Sequence, residues 1–245
     1  MARPGVHGRG VTNWRDTAAD LLLGATCPGC GTPGWGICTG CRTALGTTAA
    51  FEVSRSLEGF PRASAARVYE GQLRRLIAAH KERHARDATS VLGALLAEAV
   101  AHRRPEGPLT LVPVPSSRSA VRERGYDSVQ VLAVSAARRL SRDGRPVAVV
   151  PALRHVRRIA DQASLDTAAR WANLRGAMVA RPLRGPVVVV DDVCTTGATL
   201  AEACRALTAV GAHDSDAATI SATVLRRGRQ TQRSAGPATA GPADL

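Results

Sequence analysis

Residues 187–200 have the sequence VVVVDDVCTTGATL, and this stretch decides the fold. Four consecutive valines predict a strand that is buried on both faces, as in a parallel sheet. Two aspartates follow, and carboxylates at the edge of a core are costly unless a metal, a hydroxyl or a cation meets them. The Thr- and Gly-containing turn that comes next is typical of loops whose backbone amides face an anion. The stretch therefore predicts a site for a ligand with hydroxyls and phosphate, the alternative being a strand-end Asp that caps a helix.

The rest of the chain alternates predicted strands and helices, which indicates parallel βαβ units. Further strands are predicted at residues 65–71, 109–114, 146–150 and 217–225, and apolar residues at helical spacing predict helices at 73–77, 91–100, 126–140 and 198–210. Residues 47–62 are interpreted as a linker, and residues 152–183 as a functional loop or lid. In an open α/β sheet, ligands bind at the carboxyl ends of the strands. Asp191 and Asp192 are expected at such an end.

The composition excludes some classes of protein and favours others. The formal net charge is +13, which reflects either coding bias or attraction to polyanions such as phosphate ligands or nucleic acid. Aromatic residues make up only 3% of the chain, which argues against a surface on which bases stack. No apolar run is long enough to span a bilayer, and the first residues lack the apolar region of a signal peptide. A cytoplasmic location is the expectation.

Four cysteines form two CxxC pairs separated by seven residues, at Cys27, Cys30, Cys38 and Cys41. In a cytosolic protein, such a cluster favours a metal over disulfides, and two CxxC turns complete a tetrahedral Zn²⁺ site. With four thiolates the metal has no open position, so we expect a structural role. The alternatives are two redox dithiols or a ribbon that has lost its metal.

Residues 187–199 resemble the thirteen-residue phosphoribosyl pyrophosphate (PRPP) motif of type I phosphoribosyltransferases. Together with other stretches they resemble the ComF family, competence-associated proteins with an amino-terminal zinc ribbon. Those stretches are the CxxC pairs, VYEGQLRRLIAAHK (68–81), LVPVPSSRSAVRERGYD (111–127), and the spaced residues Arg157, Asp161, Gln162, Arg170 and Asn173. The resemblance implies a parallel-sheet α/β core of the type I phosphoribosyltransferase class, preceded by a small four-cysteine zinc ribbon.

The resemblance also implies a division of the chain. Residues 24–46 would be the zinc ribbon and residues 63–226 the phosphoribosyltransferase-like domain. Residues 1–23 would be an N-terminal segment, and residues 227–245 a disordered tail.

Site residues carry over from the resemblance position by position. Asp191 and Asp192 would hold the ribose hydroxyls, directly or around Mg²⁺, and count with Arg157 as catalytic residues. The 5′-phosphate would be wrapped by Thr195, Thr196, Gly197, Ala198 and Thr199. The turn at Ser116 and Ser117, with Arg118 close by, would lie near the pyrophosphate.

Some residues of the resembling stretches keep open alternatives. Arg157 and Arg158 would lie on a loop that closes over the diphosphate, although the same arginines would also suit DNA or a solvated loop. Lys81 is either a surface residue, which we favour, or a charge that reaches the diphosphate. Relatives commonly have RGFNQ where this chain has Arg-Gly-Tyr-Asp-Ser at 124–128, so the amide pair is replaced by Asp127 and Ser128.

Two classes of function follow. The first is a Mg²⁺-dependent enzyme that binds PRPP or a related sugar phosphate and displaces pyrophosphate with a nitrogen nucleophile, including nucleobase salvage. The second is a non-catalytic protein of DNA uptake that handles single strands together with other uptake proteins. We expect a ComF-like protein with the phosphoribosyltransferase fold, and leave turnover open.

Overall fold

The computed structural model of the chain describes residues 25–82, 86–104, 106–157 and 174–224. The segments 1–23 and 227–245 that the sequence analysis delimits lie outside these residues, as do Arg158, Asp161, Gln162, Arg170 and Asn173. No helix in the described ranges combines the length and apolar character that crossing a membrane requires.

A six-stranded sheet with the order β1-β2-β8-β7-β3-β4 forms the centre of the molecule. Its strands are β1 (Phe51–Val53), β2 (Ala63–Val68), β3 (Leu109–Pro113), β4 (Val147–Val149), β7 (Val187–Cys194) and β8 (Ser215–Ala222). All neighbours pair in parallel except β1, which runs antiparallel to β2 at one edge. The mostly parallel α/β sheet predicted from the sequence is confirmed.

Helices cover both faces of the sheet, because its strands are apolar on both sides. The helices are α1 (Thr39–Gly46), α2 (Gly71–Glu82), α3 (Arg86–Arg103), α4 (Arg118–Arg124), α5 (Ser128–Arg142) and α6 (Ala198–Thr208). Alternate residues of β7 serve the two faces: Val188 and Val190 pack with α2, α3 and α5, whereas Val187 and Val189 pack with α6. The valine run is therefore buried on both sides, as its sequence predicts.

The structure adds elements that the sequence did not predict. The segment interpreted as a linker, 47–62, contains the edge strand β1. The segment interpreted as a loop or lid, 152–183, contains an antiparallel pair made of β5 (Leu153–His155) and β6 (Met178–Ala180). Strands of three residues are too short to show an alternating pattern, which explains why both were missed.

The cysteine segment packs on the core formed with α2 and α3. Cys27, Ile37, Cys41 and Leu45 are buried in the same apolar cluster as residues of those helices. The Arg75 guanidinium on α2 donates a hydrogen bond of 2.5 Å to the Gly29 carbonyl. The segment is thus attached to the sheet domain by apolar and polar contacts.

Candidate functional site

The carboxyl ends of β3 and β7 lie side by side and bring the predicted site residues together. Pro113 is opposite Val190 in the parallel register, and the Val114 amide donates to the Val190 carbonyl at 2.9 Å. The turn after β3, with Ser116 and Ser117, is therefore next to Asp191 and Asp192. β7 continues through both aspartates to Cys194, since these residues still pair with β8.

The acidic pair is held in a charged and largely desolvated environment. Asp192 is 5% exposed, whereas Asp191 is partly exposed. Burial raises the pKa of Asp191 to about 7, and the neighbouring charge of Asp192 adds to this effect. The Asp192 amide donates to Asp191 Oδ1 at 2.8 Å, which orients that carboxylate. Two adjacent carboxylates in this setting require a cation or hydroxyl donors.

Lys81, near the end of α2, supplies a cation to this pair. Its Nζ lies 2.6 Å from Asp192 Oδ2. Burial lowers the pKa of Lys81, but the charge and hydrogen bond of Asp192, with a contribution from Asp191, outweigh that effect and raise it. The surface position that the sequence analysis favoured for Lys81 is wrong, because the ammonium is paired inside the site.

The loop after β7 has the backbone of an anion-binding turn. Gly197 precedes α6 with φ 86°, a left-handed conformation that favours glycine, and it has no side chain to cap the first amides of the helix. The Ala198 amide lies 3.4 Å from Thr196 Oγ1, while Thr195 is exposed and Thr199 is partly exposed. Uncapped amides at the start of an eleven-residue helix favour negative charge.

The connection between β1 and β2 braces this loop from outside. The Arg55 guanidinium donates to the carbonyls of Thr195 (2.8 Å), Cys194 (3.2 Å) and Thr223 (2.8 Å). A Cβ on Gly197 would lie 2.5 Å from a ring carbon of Phe60, so only glycine leaves room for that ring. Neither Arg55 nor Phe60 was singled out from the sequence, and no local signal would have identified them.

Asp127 organises the turn after β3. Its carboxylate accepts hydrogen bonds from the Ser116 amide (2.9 Å) and the Ser116 hydroxyl (3.0 Å), and it caps α5 through the amides of Val129 and Gln130. Asp127 therefore takes over a structural task at the position where relatives commonly have an amide. Ser117 caps α4 by accepting from the Ala120 amide, and Arg118 is exposed.

The pair β5–β6 is fixed to the site at both strands. His155 Nε2 lies 2.9 Å from the Pro115 carbonyl, so this nitrogen donates. The fully buried Glu202 of α6 accepts from the Met178 amide at 2.9 Å and pairs with Arg205. Arg157 follows β5, is exposed, and donates to the Arg175 carbonyl at 3.3 Å. The structure thus places Arg157 next to the strand that touches the Pro115 turn.

The four cysteines converge on one point. Their sulfurs all lie within 4.8 Å of one another, with Cys27 and Cys41 3.8 Å apart and Cys30 and Cys38 3.6 Å apart. A tetrahedral Zn²⁺ with Zn–S bonds of about 2.3 Å separates its sulfurs by about 3.8 Å. The donor set and its spacing therefore fit zinc.

Backbone amides support the cysteine sulfurs. The Cys38 amide points at Cys27 Sγ and the Cys41 amide at Cys38 Sγ, both at 3.4 Å, and such bonds stabilise thiolates. A hydrogen bond from Thr32 lowers the pKa of Cys30 to about 6, whereas burial raises that of Cys41. A Cβ on Gly29 would lie 2.9 Å from Cys41 Sγ, so this glycine makes room for the cluster.

The comparison with protein families agrees with this geometry. None of the curated proteins matches the chain. A family model does match, over a part that begins in α5 and contains β7, the loop after it, α6 and β8. The sheet topology and the upstream four-cysteine cluster agree with the predicted fold class. Residues 130–242, which hold the acidic pair and the anion-binding loop, match the model of the phosphoribosyl transferase domain.

Proposed function

We propose that the protein binds PRPP, or a sugar phosphate of the same shape, together with Mg²⁺, and transfers the phosphoribosyl group to a nitrogen nucleophile. The observation that carries this proposal is the meeting of two functions at one sheet edge. An acidic pair suited to hydroxyls is followed within three residues by a loop suited to phosphate, inside the family-model match. Such a pairing fits a ligand in which a ribose and its 5′-phosphate are linked.

The chain's residues fit Mg²⁺ by their chemistry. Asp191 and Asp192 offer the hard oxygen ligands that Mg²⁺ prefers, and the raised pKa of Asp191 indicates that the pair lacks positive charge. These two carboxylates would hold the ion or its water ligands. When bound, Mg²⁺ would neutralise charge on the diphosphate leaving group.

Catalysis by this site would rest on positioning and electrostatics. The proposed roles are hydrogen bonding of the ribose hydroxyls by Asp191 and Asp192, and anchoring of the 5′-phosphate by residues 195–199. The turn at Ser116 and Ser117 would face the diphosphate, and Arg157 would bring positive charge over it. These contacts stabilise a departing anion and an electron-deficient sugar, and they require no protein nucleophile.

A second candidate is the handling of single-stranded DNA in a competence system, as the resemblance to ComF proteins implies. The net charge of +13 favours this role, since polyanions attract basic proteins. A reduced four-thiolate site supports the cytoplasm as the setting for either function.

Calorimetric titration with PRPP and Mg²⁺ tests the first proposal. We expect binding by the wild type, and at least about a hundredfold loss in Asp191→Asn/Asp192→Asn, because both hydroxyl-binding groups lose their charge. The matched control is Glu106→Gln/Asp143→Asn, which removes two exposed carboxylates before the amino ends of β3 and β4. Absence of wild-type binding refutes the proposal. A pyrophosphate-release assay across nucleobases then identifies the acceptor, and salt-dependent DNA binding that the double variant retains supports the second candidate.

A further inference from the structure

The acidic pair already has a cation in the ligand-free protein. Lys81 Nζ is 2.6 Å from Asp192 Oδ2, a short charge-assisted hydrogen bond to a carboxylate that is 6% exposed. Asp127 adds further negative charge in the vicinity, since it too raises the pKa of Asp191. Without Lys81, two neighbouring carboxylates would be desolvated with less compensation, which is unfavourable.

This ion pair conflicts with the use proposed for the site. The oxygen that Lys81 contacts belongs to one of the two carboxylates that would hold ribose hydroxyls or a divalent cation. A divalent cation at Asp192 would be repelled by an ammonium on the same carboxylate. Either Lys81 stays and excludes the free ion, or it moves when the ligand enters.

Lys81 is built to move. Its side chain is 37% exposed, so the ammonium can change partner without unpacking the core. Lysine is a compact point charge on a flexible stem, whereas arginine grips a carboxylate with two parallel hydrogen bonds. Lys81 is the sole lysine of the sequence, and every other cationic side chain apart from histidine is arginine. The exchangeable cation occurs at the one position where it touches the acidic pair.

We propose that Lys81 is an exchangeable counterion that blocks Asp192 against free divalent cations and moves to the diphosphate when the sugar phosphate binds. It is a positioning residue, and its diphosphate role rests on the function proposed above. The ligand's negative charge attracts the ammonium, and its departure frees Asp192 for a hydroxyl or for the metal that accompanies the diphosphate. The metal and the sugar phosphate are therefore expected to bind together, and the metal alone only weakly.

The test uses the full-length protein and the variants Lys81→Met and Arg74→Met. Arg74 is exposed on the same helix, so its replacement removes the same charge from a neighbouring surface. Binding of Mn²⁺ alone is measured by the electron paramagnetic resonance signal of the free ion. We expect Lys81→Met to bind Mn²⁺ at least about tenfold more tightly than the wild type, and Arg74→Met to stay within about twofold.

The second measurement is calorimetric titration with PRPP and Mg²⁺. Here the expected sign is reversed: Lys81→Met binds at least about tenfold more weakly, because the diphosphate loses a cation. Lys81→Arg keeps the charge but grips Asp192, so it excludes Mn²⁺ like the wild type and also binds PRPP more weakly. Lys81→Gln serves the same comparison if the methionine variant does not fold.

Opposite responses to the two ligands distinguish exchange from a structural role. Unchanged or weaker Mn²⁺ binding by Lys81→Met overturns the proposal, since Lys81 would then not compete with the metal. If the wild type fails to bind PRPP, the proposed function and the move to the diphosphate fail together. Tighter Mn²⁺ binding by Lys81→Met would still show that Lys81 shields the acidic pair.

Discussion

Asp191 illustrates how the site works against the stability of the fold. Its carboxyl sits at the end of a buried strand beside a second carboxylate, and burial followed by the charge of Asp192 raises its pKa to about 7. The protonated form is therefore favoured in the folded protein. Its contribution to stability is present below the ordinary pKa of 3.8 and is lost as the pH rises through about 7.

Asp191→Asn should stabilise the free protein at high pH. The amide keeps the shape of the side chain and removes the charge that folding disfavours. Each pKa unit corresponds to about 1.4 kcal/mol, and solvent reaches the partly exposed carboxyl, so we expect a gain of about 1–2 kcal/mol at pH 8. Thermal unfolding should show a Tm higher by about 2–8 °C at pH 8 and nearly unchanged at pH 4. A variant less stable than the wild type at pH 8 would contradict this explanation.

Individual site residues differed in how far the sequence could predict them. Asp191, Asp192 and Gly197 were predictable because a valine run, an acidic pair and a Gly-containing turn are contiguous in the chain. Lys81 could be noticed as an isolated lysine, but not placed. Its contact with Asp192 joins residues more than a hundred positions apart, which only the packing of α2 against the sheet determines.

Among the elements, the connection between β1 and β2 has the least sequence signal relative to its effect. It spans residues interpreted as a linker, yet Arg55 bridges three carbonyls at the ends of β7 and β8. Such a contact has no periodicity and depends on β1 pairing with β2 at the edge of the sheet. The anion-binding loop is thus held partly by residues outside the family-model match.

Replacement of Arg55 should weaken phosphate binding without removing a ligand-binding group. In Arg55→Ala the carbonyls of Cys194, Thr195 and Thr223 lose a charged donor, so the loop after β7 loses its fixed conformation. Calorimetric titration with ribose 5-phosphate should show about tenfold weaker binding, corresponding to about 1.4 kcal/mol. Arg55→Lys should be intermediate, since one ammonium cannot replace the guanidinium at three carbonyls. Wild-type affinity in Arg55→Ala would show that the loop is rigid by itself.

Considered as a whole, the molecule joins the cysteine segment to the sheet domain through one core. The sequence indicates that residues 24–46 are too small and too polar to hold a core alone, and the two CxxC pairs are recognisable from spacing. Where this segment packs was not predictable, because its buried side chains are few. The structure shows Cys27 and Cys41 in the cluster that includes Leu73 and Leu76 of α2, the helix that carries Lys81.

Removal of zinc should therefore affect the sheet domain and its ligand site. The purified protein should contain one Zn²⁺ per chain by elemental analysis. A strong chelator should lower the Tm of the main unfolding transition by about 5 °C or more, since exposing the cluster uncovers apolar surface of α2 and releases the Arg75 bond to Gly29. Cys30→Ser/Cys41→Ser should show the lowered Tm from the start and no further response to the chelator. PRPP affinity should fall in parallel, because α2 positions Lys81 against Asp192. A chelated protein with an unchanged main transition would mean that the cysteine segment unfolds independently and that α2 does not depend on the metal.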